Sequence, residues 1–452
     1  MSTNDFSDLI EQALSAQQRF RDHWEAFNDS AEISFDKGKA VSVLTRLEEA
    51  LNDNYPFFHP RYAGQMLKPP HPIAIAAYVM AMQINPNNHA LDGGPATAKM
   101  EFDVVNRMAS MFGYTEHLGH LTSSGTIANL EALWVAKSLH PEKAIAFSND
   151  AHYTHRRMCE VLGARYVVLD SFSNLGRRIE EDGIGTIVVT IGTTSTGSVE
   201  PLHDIVGIAR EHGVRIHADA AYGGFFTLVA RSQRPNIDPL PFLSLGEASS
   251  IVVDPHKHGL QPYGCGCIIF KDPSVGKLYK HDSPYTYFTS EDLHLGEISL
   301  ECSRPGASAA ALWATLEYFP LEPDKGLGPI LTTTRSAALE FASRLQQGGH
   351  YVCFAEPDLD IVTYFPRTPE FSATAISALS SRIMKECMER KSNPLYLATI
   401  IVDSQAIKKR FENFIADAPT TTILRSVLMK PEHYDFVQTI VDELEYFNHH
   451  VQ

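Results

Sequence analysis

Thr186-Ile187-Val188-Val189-Thr190-Ile191 is followed by a helical stretch from Leu202 to His212 and then by Val214-Arg215-Ile216-His217-Ala218. This succession decides the fold class. The apolar runs are continuous rather than alternating, as expected for strands buried on both faces of a largely parallel sheet. The pattern extends outward in both directions. Ala144-Ile145-Ala146-Phe147 and Tyr166-Val167-Val168-Leu169 lie upstream, and Ser250-Ile251-Val252-Val253 and Cys267-Ile268-Ile269-Phe270 lie downstream. Strand, helix, strand at this spacing predicts an α/β fold with right-handed crossovers.

The flanks read differently. Ala40-Val41-Ser42-Val43-Leu44, Leu47 and Leu51 have helical spacing. The Pro-rich, aromatic stretch Asn54 to Gly64 cannot be regular structure; it is either a wrapped arm or a pocket wall. After Gly326 a helical stretch, Thr332 to Gln347, leads to the runs Tyr351 to Phe354, Ile361 to Phe365 and Ala398 to Val402. A last helix runs from about Pro431 to Phe447. The expected division is an N-terminal helical segment (1–70), a large domain that carries the parallel sheet (71–325) and a smaller C-terminal α/β domain (326–452).

Composition bounds the function. The 452 residues carry 38 Lys and Arg against 54 Asp and Glu, a net charge of −16. That argues against nucleic acid or an anionic membrane as a partner, because neutralising phosphates needs clustered cations. No stretch approaches the roughly twenty apolar residues of a spanning helix. The acidic first residues, with Asp5, Asp8 and Glu11, lack the basic start of a targeting peptide. Six scattered cysteines do not make a disulfide framework, and Cys265 and Cys267 read as small apolar residues of a strand. The expected compartment is reducing and cytoplasmic.

Ligands of an open parallel sheet bind beyond the carboxyl ends of its strands. The residues standing there are His152, Gly192-Thr193-Thr194, Asp219-Ala220-Ala221-Tyr222-Gly223-Gly224 and Asp254-Pro255-His256-Lys257. Ser123-Ser124-Gly125-Thr126 opens a further helix. A Gly-Thr helix start offers backbone N–H groups and a positive dipole end to a phosphate. A lysine at an apolar strand end can form a Schiff base. A fixed carboxylate can keep a pyridine nitrogen protonated, and a His ring can stack on a flat heterocycle. Phosphate, aldehyde and pyridine nitrogen in one molecule describe pyridoxal 5'-phosphate.

Each residue also has a plainer reading. A lone lysine after a strand is usually a solvated surface group. His217, inside a strand, reads as a satisfied core histidine. His256 and His258 could ligate a metal, but alternate strand residues point to opposite faces and no third ligand stands nearby. Ser123-Ser124-Gly125 lacks the Gly-x-Ser-x-Gly elbow of a serine nucleophile.

From about Tyr55 to Phe319 these motifs together resemble the group II pyridoxal-phosphate-dependent amino-acid decarboxylases, in their tyrosine-decarboxylase-like branch. The resemblance implies fold type I, with an aspartate-aminotransferase-like large domain. It implies Lys257 as the internal lysine after His256, Asp219 on the pyridine nitrogen, Ala221 under the ring and His152 stacked on it. Ser124, Gly125 and Thr126 would hold the phosphate, with Thr194 in the matching Gly-Thr-Thr. Many members carry Trp directly after the lysine; here His258-Gly259 follows. Pro262-Tyr263-Gly264-Cys265-Gly266 and Cys302-Ser303-Arg304-Pro305-Gly306 match the tyrosine-decarboxylase-like branch.

The activity so implied is decarboxylation of an L-amino acid, aromatic or acidic, through a Schiff base and a quinonoid intermediate. A carbon–carbon lyase of the sphingosine-phosphate-lyase type shares the motifs. The family's site lies at a homodimer interface under a loop bearing a catalytic Tyr. Residues 277–296, with Tyr285 and Tyr287, fit that loop. Phe57 to Gln65 is the expected substrate-side wall, and Arg304 is either a carboxylate-binding or a structural cation.

Overall fold

The computed structural model describes residues 3–28, 30–233, 235–280 and 298–451. Helices α1 (Thr3–Arg21), α2 (Lys37–Leu51), α3 (Pro72–Met82) and α4 (Pro95–Phe112) precede the first strand, β1 (Leu118–Thr122). Then follow α5 (Gly125–Leu139), β2 (Ala144–Ser148), α6 (Thr154–Leu162), β3 (Tyr166–Leu169), α7 (Leu175–Asp182), β4 (Ile184–Thr190) and α8 (Leu202–Glu211). Strands β5 (Arg215–Asp219), β6 (Ser250–Val253) and β7 (Gly266–Phe270) complete a seven-stranded sheet in the order β1-β7-β6-β5-β4-β2-β3.

Strands β3, β2, β4, β5 and β6 are mutually parallel, and β7 runs antiparallel to both β6 and β1. The carboxyl ends of β1, β2, β4, β5 and β6 therefore share one edge. Every residue of β4 is buried, which is why Ile184 to Thr190 is a continuous apolar run with Thr as its only polar type besides Gly185.

The second sheet is antiparallel throughout, in the order β10-β11-β9-β8: β8 (Tyr351–Cys353), β9 (Ile361–Pro366), β10 (Ala398–Asp403) and β11 (Thr420–Val427). Helices Leu327–Gly348, Ala373–Glu389 and His433–Val451 pack against it and one another. Phe341, Tyr364, Leu424 and Leu444 belong to the resulting core.

The Pro-rich segment after α2 is stitched to this second sheet. Ala63 N–H donates to Tyr396 O (2.9 Å), and Val427 N–H donates to Ala63 O (2.8 Å). Tyr55, Phe57, Tyr62 and Tyr396 form an aromatic cluster there. Arg425, buried on β11, donates to Gly64 O (3.1 Å) and to Thr194 O (2.7 Å), and so clamps this segment to the loop after β4.

Candidate active site

A cleft of about 270 Å³ opens at the shared carboxyl edge, and its lining includes Ser124, Gly125, Thr126, His152, Thr194, Asp219, Ala221, His256 and Lys257. All nine residues expected to hold the cofactor thus meet in one place. Asn129, Tyr153, Thr154, Thr190, Gly192, Tyr222 and Asp254 complete the wall.

On one side, α5 points its N-terminus into the cleft, capped by Ser124 Oγ, which accepts from Ile127 N–H (3.5 Å). Its first N–H groups and the Thr126 hydroxyl are placed for an anion. Only glycine fits at 125, because a Cβ would lie 2.6 Å from Asp254 Oδ2. That close approach lets Asp254 reach Lys257: Oδ2 is 3.0 Å from Nζ. Asp254 Oδ1 and Thr190 Oγ1 are buried without hydrogen-bond partners among the described residues, so the cleft retains polar capacity for a ligand. A phosphorylated pyridine aldehyde fits this donor set: helix N–H groups for the phosphate, an amine for the aldehyde and a carboxylate for the ring nitrogen.

That carboxylate, Asp219, ends β5. His155 Nε2 lies 2.8 Å from its Oδ2, Asn129 Nδ2 lies 3.4 Å from the same oxygen, and Ala221 N–H donates to Oδ1 at 3.2 Å. Burial alone would raise its pKa; the His155 hydrogen bond, with the electrostatic pull of His155 and Lys257, holds it well below the usual carboxylate range. Behind Asn129, His217 Nε2 donates to Asn129 Oδ1 (2.8 Å), and His217 Nδ1 faces Ser250 Oγ (2.9 Å). Burial lowers the His217 pKa to about 3, so its ring is neutral. The reading of His217 as a satisfied core histidine thus holds, and it also supports the carboxylate's partner.

His152 stands beyond β2 with its ring 4.3 Å from that of Tyr153. Thr154 N–H donates to His152 Nδ1 (3.3 Å), so the proton of the neutral ring sits on Nε2. Burial lowers its pKa, which favours a neutral, flat face toward the cleft.

Several expectations need correction. The Pro255–His258 segment is a helical turn rather than strand, so His256 and His258 diverge around a helix. His256 Nδ1 is 2.8 Å from Cys265 O, whereas His258 is buried against Tyr222 and Phe226. Arg304 does not face the cleft: it is buried, paired with Glu101, and donates to Leu121 O (2.7 Å) and Asn88 O (2.9 Å), so it is the structural cation. At the start of the segment expected as a loop, 277–296, Gly276–Tyr279 is a helical turn whose Tyr279 packs edge-on against Trp134; residues 281–296 lie outside the described residues. Tyr285 and Tyr287 lie outside the described residues. Phe57 to Gln65 does not line the cleft directly and touches its wall through Arg425.

His155 and Asn129 escaped the sequence reading. His155 falls three residues after His152, and Asn129 four after Gly125, each one helical turn along from a recognised residue. That spacing was the available signal.

The family model described as the pyridoxal-dependent decarboxylase conserved domain matches residues 36–365. A probable L-tyrosine/L-aspartate decarboxylase of Methanoculleus marisnigri is 31% identical over 318 residues, covering 67% of this chain and 80% of that protein. An L-aspartate decarboxylase of Thermococcus kodakarensis is 28% identical over 333 residues, covering 71% and 83%. Among solved structures, mouse CSAD superposes with a TM-score of 0.76 at 18% identity, covering 99% of this chain and 92% of that one. Oryza sativa TDC, solved with PLP and tryptamine, does so with 0.76 at 14% identity, covering 98% of each. At those identities the structural likeness establishes the fold.

Proposed function

The chain belongs to the pyridoxal-dependent decarboxylase family and is a pyridoxal-phosphate-dependent amino-acid decarboxylase, and from that premise we propose that its substrate is an aromatic or acidic L-amino acid. Relatives named for L-tyrosine and L-aspartate support that substrate class. The observation that carries the site assignment is the convergence of Lys257, Asp254, Asp219 and the α5 N-terminus on one cleft.

When bound, pyridoxal phosphate supplies an electron sink for the pair left on the substrate's α-carbon as carbon dioxide departs. The chain's residues do the rest. Lys257 Nζ would be the amine that holds the cofactor through its aldehyde. Asp254, 3.0 Å away, anchors the amine and accepts its hydrogen bond. Asp219 stays ionised against burial and holds a proton on the pyridine nitrogen, with His155 and Asn129 fixing its orientation. His152 and Ala221 would hold the ring, and Ser124, Gly125, Thr126 and Thr194 would hold the phosphate. Tyr285 or Tyr287 is the proposed acid that returns a proton to the α-carbon, an assignment that rests on sequence alone.

The domain division at about 325 is supported by a second core, with Phe341, Tyr364, Leu424 and Leu444, built on the second sheet, although Leu327, Leu359, Ile361 and Val427 pack into the core of the large sheet; the division at about 70 rests on the sequence. A homodimer with the site at its interface is supported by uncovered apolar surface near the N-terminus. Trp24, Phe27, Ile33 and Phe35 are more than 70% exposed, and α2 buries none of its residues in this chain. No helix among the described residues is long and apolar enough to cross a membrane. Six unpaired cysteines, five of them buried, favour the reducing cytoplasm. The test is carbon dioxide release from a panel of L-amino acids, run beside light scattering of the holoenzyme. Turnover of L-tyrosine or L-aspartate by a dimer is expected; turnover confined to other amino acids would overturn the substrate proposal, and full activity in a monomer the assembly proposal.

A further inference from the structure

His256 and Lys257 line the cleft, but His258, the next residue, does not. Its side chain is fully buried on another face of the same turn, with its ring 4.7 Å from Tyr222 and 5.1 Å from Phe226, both crossed edge-on. Its Nε2 lies 3.4 Å from Asp360 Oδ2. Among the described residues neither ring nitrogen of His258 has another hydrogen-bond partner, and neither does Asp360 Oδ2. Asp360 Oδ1 accepts from the Tyr222 hydroxyl at 2.5 Å. Two unsatisfied buried polar atoms at this separation are costly unless they share a proton.

The placement of this pair is what gives it a role. Tyr222 follows directly on Ala221, which lines the cleft, and it stands three residues after Asp219. Asp360 immediately precedes β9 of the second sheet, and its backbone O accepts from Leu428 N–H (2.8 Å). The pair therefore touches the lysine turn, the segment beneath the cofactor ring and the second sheet at once. Other charged groups also face it. Lys68, Arg335 and Arg425 act on Asp360, and Thr334 bonds to it; Lys68 and Lys257 act on His258. Burial and those two lysines push His258 well below its ordinary pKa, while burial raises Asp360 to about 6. Both directions fit one proton held between imidazole and carboxylate, with no imidazolium formed.

We propose that His258 and Asp360 form a proton-sharing latch that positions Lys257, fixing its turn against Tyr222 and tying both to the second sheet. The latch rests on Lys257 being the cofactor lysine. His258→Phe leaves Asp360 Oδ2 unsatisfied, and Asp360→Asn removes the carboxylate that shares the proton; either change alters how the turn is held and the buried charge behind the lysine. The two residues are positioning groups and touch neither substrate nor cofactor.

The test uses holoenzyme of the wild type, His258→Phe, Asp360→Asn, the double variant and His258→Gln, whose amide can still donate to Asp360. Three quantities are read: kcat and KM, the cofactor dissociation constant, and the pH midpoint of the visible band of the lysine-linked cofactor. Each of the first two substitutions should lower kcat about tenfold with KM changed less than about threefold. Each should weaken cofactor binding and move the band's midpoint by about half a pH unit or more. The double variant should be no worse than the worse single, because the pair acts as a unit. His258→Gln should recover kcat to within about threefold of wild type. Additive losses with an unmoved midpoint, or losses that His258→Gln does not rescue, overturn the latch. Should His258→Phe not fold, the midpoint in Asp360→Asn and the rescue by His258→Gln decide the matter alone. A wild-type protein that shows no such band refutes the assignment of Lys257 itself, which is a separate failure.

Discussion

Asp219 and Asp360 are both buried, and their pKa values are displaced in opposite directions. Burial pushes each toward neutrality. Asp219 receives a histidine N–H, a backbone N–H and an asparagine amide, with His217 and Lys257 as further chargeable neighbours, and its pKa falls below the ordinary range. Asp360 has the Tyr222 hydroxyl and a histidine at 3.4 Å, and burial prevails, to about 6. Burial therefore does not decide the charge of a carboxylate in this protein; the donors aimed at it do. One carboxylate is built to remain an anion, as the proposed contact with a protonated ring nitrogen requires; the other takes up a proton more readily, as the proposed latch requires.

The largest expected effect breaks the first half of this contrast. Asp219→Asn should lower kcat about a thousandfold or more, roughly 4 kcal/mol of transition-state stabilisation, because an amide cannot keep the ring nitrogen protonated. Steady-state kinetics showing a loss below tenfold would mean that Asp219 does not face that nitrogen.

A buried ion pair away from the cleft sharpens the comparison. Arg304→Gln leaves Glu101 charged and buried, and should cost about 3 kcal/mol or more in unfolding free energy. KM should stay within about threefold, since Arg304 does not face substrate. Denaturant melts together with kinetics read both; a large rise in KM with unchanged stability would return Arg304 to a carboxylate-binding role.

Gly125→Ala tests whether the approach of Asp254 to α5 matters. The added methyl would crowd Asp254 and draw it from Lys257, so cofactor affinity should fall about tenfold, near 1.4 kcal/mol. Unchanged affinity in an equilibrium titration would separate the helix start from the cofactor.

The smallest effect concerns stability and carries a sign. Because the Asp360 pKa is raised in the folded state, its contribution is fully present below its ordinary value of 3.8 and is lost as pH rises through about 6. Apo Asp360→Asn should therefore melt higher than wild type at pH 8, by up to about 3 kcal/mol, with no gain at pH 4. Asp219 has the reverse sign: its contribution is present above 3.8 and is lost as pH falls through its lowered pKa. Melting curves across pH that give both variants the same sign would contradict the contrast.

How much of this was legible in the sequence follows from which side chains carry the information. Strands β2 to β7 announce themselves because both faces are apolar, and the cleft residues because parallel strands deliver them to one edge. Strand β1, Leu118-Gly119-His120-Leu121-Thr122, and strand β11, with Arg425 and three threonines, carry polar or small residues whose partners are distant in the chain. Arg425 is satisfied by Gly64, Gln65, Thr194 and Ser195, and no local pattern reveals that. The role of Arg304 was likewise open until Glu101, some two hundred residues earlier, was placed against it. His258 was visible only as a weak metal-ligand candidate beside His256 and as a departure from the Trp common after the family lysine. Its partner Asp360 lies on the other sheet, so the pairing is a tertiary fact.

The account turns on which lysine carries the cofactor. Two further lysines have pKa values lowered by desolvation and are chemically able to compete: half-buried Lys68, at about 8, and buried Lys430, at about 7. Borohydride reduction of the holoenzyme followed by peptide mass mapping distinguishes the three. The prediction is a single pyridoxyl mass on the peptide containing Lys257, absent from Lys257→Ala. Label on Lys68 or Lys430, or none on Lys257, would contradict the central claim.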